Sequence, residues 1–140
     1  MEELLELRKS ITSGDYAKAL SIVDELEVMS KEDKLEKIYS YAIILLLYLI
    51  KQEAEQRTTK SWDVSIKNSV ERINRTNKRR KSGGYYAKKS ELQEIIDDAV
   101  IPAVRNASLE AFEGSCSEAE LVETIDLDLI KNKELAMLDY

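Results

Sequence analysis

The sequence predicts an all-α protein, a helical bundle of five or six helices around an apolar central helix. Three observations lead there. Leu, Glu, Lys, Ala and Ile are abundant, which favours helix over sheet. Four Gly and one Pro in 140 residues leave little punctuation for hairpins or long loops. Apolar residues recur at three- and four-residue spacing along most of the chain. The length suits one domain over 1–140, and a composition 44% apolar and 34% charged suits a packed core beneath a heavily solvated surface.

Helical spacing of Leu4, Leu7 and Ile11 opens the chain, and Thr12-Ser13-Gly14-Asp15 breaks it, with Gly14 suited to a left-handed cap. A second helix is expected near Tyr16 to Met29, with Tyr16, Leu20, Val23 and Leu26 as its stripe. Ser13 to Leu20 echoes the turn of a tetratricopeptide unit, but no second copy follows at the required spacing. Ser30 with Asp33 reads as a capping box that opens the central buried helix, residues 31–56. Its middle, Tyr41 to Ile50, is apolar all round and is expected to be covered on every side. At ten residues, thirteen with Ile38, Tyr39 and Ser40, the run falls short of the roughly eighteen needed to span a membrane.

Ser61 is placed as the cap of the next helix. Trp62, Ile66, Val70 and Ile73 fall within about an 80° sector of it, an amphipathic stripe with the tryptophan as core anchor. Ser82-Gly83-Gly84 ends that helix, and 77–89 reads as a mobile basic connection. Ser90 with Gln93 forms a capping box for a helix whose stripe runs from Leu92 through Ile95, Ile96, Ala99, Val100, Ala103 and Val104 to Ala107, the helix continuing to about Phe112. Pro102 lies off that stripe, so a kink on the outer side is expected. Gly114 stops the helix, and Ser117 with Glu120 caps the first of one or two short helices in the acidic C-terminal segment, 114–140.

Composition also bounds the chemistry. There is no histidine, which removes Ser-His-Asp triads, Cys-His dyads and the histidine-containing zinc and di-iron sites. One cysteine, Cys116, makes neither an internal disulfide nor a structural zinc site, and its acidic neighbours Glu113 and Glu118 disfavour a thiolate nucleophile. The acidic start, Met1-Glu2-Glu3, is unlike a basic targeting segment, and the expectation is a soluble cytoplasmic protein.

Charge is segregated. Residues 51–90 hold twelve Lys or Arg against four Asp or Glu, a local +8; the remainder carries −14, for −6 in all. Lys67, Arg72, Arg75, Lys78 and Arg79 point away from the Trp62 stripe and continue into Arg80, Lys81, Lys88 and Lys89. Such a face could track a phosphate backbone, with Tyr85 and Tyr86 stacking on bases, or could pair with acidic surface of this chain or a second copy. Glu91, Glu94, Asp97 and Asp98 invite comparison with magnesium-dependent all-α nucleotide pyrophosphatases, and Glu2, Glu3 and Glu6 form a second acidic cluster. Yet the four centre nearly opposite the Leu92–Ala107 stripe, as a solvated face would. No metal site and no cofactor site is assigned.

Two stretches carry a family resemblance. An acidic helix, Val23 to Lys34, leads into an apolar one and then into Leu47-Tyr48-Leu49-Ile50-Lys51, followed by Arg57, Ser61, Trp62 and Ile66 at fixed spacing and by Arg72. From about Asp15 to Ile73, and more loosely to Phe112, the chain resembles domain of unknown function family 29, common in cyanobacteria. The resemblance implies a helical bundle; it implies no biochemical activity, because none is established for the family. Members usually carry a histidine at the place of Tyr48, often an aromatic at Gln52, and a proline-bearing turn at Ser82-Gly83-Gly84. A histidine-dependent role could not extend to this chain. Arg57, Ser61 and Trp62 read as structural: a cap, a core anchor, and a cation that meets a carboxylate from another helix.

The first functional reading is therefore a non-enzymatic helical domain that self-associates or binds a protein partner through helix faces. The second is a nucleic-acid-linked module, such as a toxin–antitoxin component, using the basic 67–89 region. A metal-dependent nucleotide hydrolase is third.

Overall fold

A computed structural model describes residues 2–140. Among them are six α-helices, one 3-10 turn and no β-strand: α1 (Glu2–Thr12), α2 (Tyr16–Glu55), α3 (Lys60–Asn77), α4 (Lys89–Glu110), the 3-10 turn (Ala111–Gly114), α5 (Glu118–Thr124) and α6 (Leu127–Ala136). The all-α expectation holds. The chain divides into two compact units, 1–34 and 35–140, each described by itself below.

In the first unit α1 folds back on the start of α2 as an αα-hairpin. Gly14, at φ +80, turns the chain, and Asp15 N–H donates to Ser10 O while Ser13 N–H donates to Lys9 O. Ser10, Ala19 and Ile22 are the residues that close the hairpin. The expected stripe is rotated, because Tyr16 and Leu20 are exposed and the small Ala19 takes the contact.

The break expected at Ser30 is absent. α2 runs unbroken for 40 residues, and Ser30 sits exposed in its interior. The physical reason is that the residues around Ser30, Glu25 to Glu36, include no Gly or Pro and are mostly Glu, Lys, Leu and Met, so one serine does not outweigh helix propagation there.

The second unit holds the main core. Ile38, Ala42, Leu45, Leu46, Leu49 and Ile50 of α2 are at most 2% exposed. Against them pack Ile66 and Ile73 of α3, Leu92, Ile96, Ala99, Ala103 and Ala107 of α4, and Ile130 and Leu135 of α6. Alanines at four-residue intervals let α4 approach closely. The Tyr41–Ile50 run is nevertheless open on one side: Ile44 is 40% exposed, on the same face as the exposed Lys37 and Ser40. Complete burial on all sides was expected, and this face corrects it. Pro102 sits half-buried inside α4, which continues to Glu110; beyond it Ala111 is extended and Phe112 and Glu113 take left-handed backbone.

Caps differ locally from expectation. Thr59, not Ser61, caps α3, its Oγ1 accepting from Trp62 N–H at 3.1 Å; Ser61 lies in the first turn. α4 starts at Lys89, ahead of the Ser90–Gln93 box, with Glu91 Oε1 accepting from Lys88 N–H at 3.4 Å. Ser117 does cap α5.

Residues 78–88 connect α3 to α4. Lys78 pairs with Tyr85 in an isolated bridge, and Arg79 N–H donates to Gly84 O. The fully buried Asn77 anchors the base: its Oδ1 accepts from Ala87 N–H at 2.7 Å and its Nδ2 donates to Ala87 O at 3.1 Å. The segment expected to be a mobile basic connection is thus hydrogen-bonded into a turn.

Glu134 of α6 is the contrast. It is fully buried, and neither carboxylate oxygen has a hydrogen-bond partner. Burial raises its pKa from 4.5 to about 9. Between those values the folded state keeps a proton that the unfolded state releases, so stability falls as pH rises across that window. The expected slope is up to about 1.4 kcal/mol per pH unit. Glu134→Gln, which mimics the neutral acid, should flatten the slope in urea unfolding followed across that window. Glu134→Met, of similar length without the polar atoms, should raise the midpoint at neutral pH. An unchanged slope in the glutamine variant would refute the assignment.

Candidate functional site

Residues of the family pattern converge where α2 gives way to α3. α2 ends at Glu55, and Gln56 takes a left-handed backbone at φ 51, with its Nε2 donating to Glu53 O. Thr58 then donates to Asp63 Oδ1 at 2.7 Å, and Gln52 Nε2 donates to Thr58 Oγ1 at 2.8 Å. These bonds hold the short loop and deliver Trp62 into the interior, 8% exposed.

Two cations lie over the indole. Lys51 Nζ is 4.6 Å from its centroid and the Arg57 guanidinium 4.7 Å. Lys51 is itself buried; its ammonium also lies 5.3 Å from the Tyr48 ring and 3.2 Å from Glu110 Oε1 of α4. Arg57 donates twice to Glu55 at the end of α2. A charge taken out of water needs such compensation, and aromatic faces with one carboxylate supply it. The corner locks three helices together through Lys51, Trp62 and Glu110; Arg57 meets Glu55 two residues away rather than a carboxylate from another helix, and the cap role moves from Ser61 to Thr59.

The nine basic residues are dispersed over several places. Lys67 borders a groove of about 600 Å³ with Gln52, Asp63, Ile66, Val70 and Met137. Arg72 and Arg75 line a separate cleft of about 560 Å³, where Lys37 and Tyr41 of α2 meet them. Lys78 caps α3, and Arg79 lies over the Tyr86 ring at 4.9 Å. Arg80 and Lys81 are exposed in the 78–88 turn, Lys88 precedes α4, and Lys89 lies 5.9 Å from the Tyr140 ring. Lys37 and Tyr41 were not legible as site residues, because they belong to a segment read as central core.

Of the carboxylates on α4, Glu94 and Asp97 line a cleft with Asp128 and Lys131. Lys131 Nζ is 3.1 Å from Asp97 and 3.5 Å from Asp128, and the hydrogen bond to Asp97 is the first cause of its raised pKa. The carboxylates there already face a fixed ammonium. No group of three or more His, Cys, Asp or Glu with metal-binding geometry occurs among the described residues. The half-buried Cys116 thiol is pushed up in pKa by partial burial and then by Glu120, rather than by Glu113 or Glu118. Among the described residues, no helix is long and apolar enough to cross a membrane.

Residues 11–137 match the family described as Domain of unknown function DUF29, and the chain belongs to that family. No curated protein and no solved structure matches the chain.

The corner yields a stability prediction. Trp62→Ala should cost about 3–5 kcal/mol, the range for removing a buried aromatic anchor, because both cations lose their ring as well. Trp62 is the sole tryptophan, so urea unfolding must be followed by circular dichroism. A loss below about 1 kcal/mol would show that the ring is not an anchor.

Proposed function

We propose that this DUF29 chain is a non-enzymatic interaction domain that associates with a second copy of itself through the open apolar side of its N-terminal hairpin. One observation carries the reading. Leu4, Ile11, Tyr16 and Leu20 are 48%, 52%, 65% and 65% exposed, although all are large and apolar.

Their placement makes them one surface. Leu4, Leu7 and Ile11 fall within an arc of about 60° on α1, and Tyr16, Leu20 and Val23 within an arc of about 60° on α2. Each arc lies about a quarter-turn from the residues that close the hairpin, Ser10 on α1 and Ala19 and Ile22 on α2. Because the helices of a hairpin run antiparallel, the two quarter-turns bring both arcs to the same side. The register about the turn sets Ile11 beside Tyr16, Leu7 beside Leu20 and Leu4 beside Val23.

Such a face is self-complementary, as a two-fold dimer requires, and two hairpins stacked on it form a four-helix bundle. The exposed parts of these six side chains amount to about 500 Å² of apolar surface, close to the apolar share of the roughly 800 Å² each partner buries in a standard interface. A patch of that size ranks with the largest apolar patch a monomer exposes, which is often functional. A cytoplasmic location belongs to the same reading, since a lone thiol such as Cys116 persists reduced there.

Analytical ultracentrifugation tests it. The native chain should sediment as a dimer, and Ile11→Glu with Leu20→Glu should shift it to monomer with an unchanged circular dichroism spectrum. Val28→Glu, on another side of α2, should leave the dimer intact. A native chain that stays monomeric up to its solubility limit would overturn the proposal.

A further inference from the structure

The cleft between α2 and α3 makes a second, independent case. Its walls are Lys37 and Tyr41 from α2 and Asn68, Glu71, Arg72, Arg75 and Thr76 from α3. Lys37 and Tyr41 are one turn apart on their helix. Asn68, Arg72, Arg75 and Thr76 share a face of theirs, so both rows look into the same space. Arg72 Nη1 is 3.5 Å from the Tyr41 hydroxyl, with the guanidinium 5.9 Å from the ring centroid.

We propose that this cleft binds a phosphate-bearing ligand, its phosphoryl oxygens held by Lys37, Arg72 and Arg75. Three cations converge there with one carboxylate, Glu71, on the wall. None of the three makes an ion pair within the described residues. Where carboxylates do stand beside cations, as at Lys51–Glu110 and Lys131–Asp97, the positive charge is already compensated. Arginine forks suit phosphoryl oxygens, and Asn68 and Thr76 add neutral donors. Tyr41 offers a flat face on which a base can stack. The volume, about 560 Å³, lies within the roughly 300–1,000 Å³ of small-ligand sites.

An acidic helix of another protein is the alternative occupant, and the lining argues against it. No aliphatic side chain borders the cleft, so a docked helix would find no apolar anchor. A phosphoryl ligand needs only charge and donors. Its source is a free nucleotide or a nucleic acid strand; Lys78, Arg79, Arg80 and Lys81 follow Arg75 closely enough to extend the charge along a strand.

The experiment is fluorescence anisotropy at low salt with a labelled single-stranded oligonucleotide and a labelled nucleoside triphosphate, competed by pyrophosphate and by polyglutamate. Binding should be displaced by pyrophosphate far better than by polyglutamate at equal charge. It should weaken about tenfold or more in Arg72→Gln with Arg75→Gln, which remove two charge-assisted donors. Both side chains are exposed, so circular dichroism should show an unchanged fold. Comparable affinity for the triphosphate and the oligonucleotide identifies a nucleotide site; a preference for the strand that falls steeply with salt identifies a nucleic acid site. Ile11→Glu with Leu20→Glu should leave binding per chain unchanged, which separates this result from the fate of the dimer. No binding at low salt, equal displacement by polyglutamate, or affinity retained in the double-arginine variant would each overturn the assignment.

Discussion

The second unit is organised by one constraint: a helix with almost no polar interruption from Ile38 to Ile50 must be kept from water. Ile38, Leu45, Leu46 and Ile50 are fully buried. Burying each such side chain contributes about 1.5–3 kcal/mol, so leaving the run uncovered would exceed the net stability of an ordinary domain. α3, α4 and α6 each present an apolar stripe to it. Where the run ends, Lys51 would bring a charge into the core; the indole, Tyr48 and Glu110 accommodate it there. The same packing that demands coverage thereby decides where the polar groups must sit.

Two buried polar residues show how differently that demand is met. Asn77 bonds both the N–H and the C=O of Ala87 and so ties the 78–88 turn to the end of α3. A buried amide in that setting adds specificity, since any other register leaves it unsatisfied. Glu134 has equal burial and no partner, so the core holds it as a neutral acid. Side-chain type alone does not distinguish these outcomes; the positions of neighbouring backbone groups do.

The hairpin of residues 1–34 follows a different economy. Its helices carry enough apolar residues for two contact faces, and the hairpin uses only one, built on Ser10, Ala19 and Ile22. Two thin helices meet along a line, so a wider stripe necessarily keeps an open flank. That geometry is the basis of the self-association reading. The charged cleft of α2 and α3 arises similarly, because the side of α2 that bears Lys37 and Ile44 is left open to solvent.

The sequence by itself determined the all-α class, the helix that carries Trp62 on its buried stripe, the stripe of α4, the cap at Ser117 and the family. Each follows from periodicity, residue type or local pattern, which need only a few turns of chain to act. Its errors were also local. Ser30, Ser61 and Ser90 all resemble caps, but capping contributes only about 1 kcal/mol, and an unbroken helix or a better-placed Thr59 outweighs it. Only the tertiary structure decided which face of α2 stays open, that Lys37 and Tyr41 stand opposite Arg72 and Arg75, that Lys51 meets Glu110, and that Glu134 has no partner while Asn77 has two bonds to Ala87. Apart from Asn77 and Ala87, ten positions apart, those pairings join residues 31 to 59 positions apart or depend on what surrounds one side chain. They are set by how helices rotate against one another to close the core, and a linear pattern of residue types does not encode that rotation.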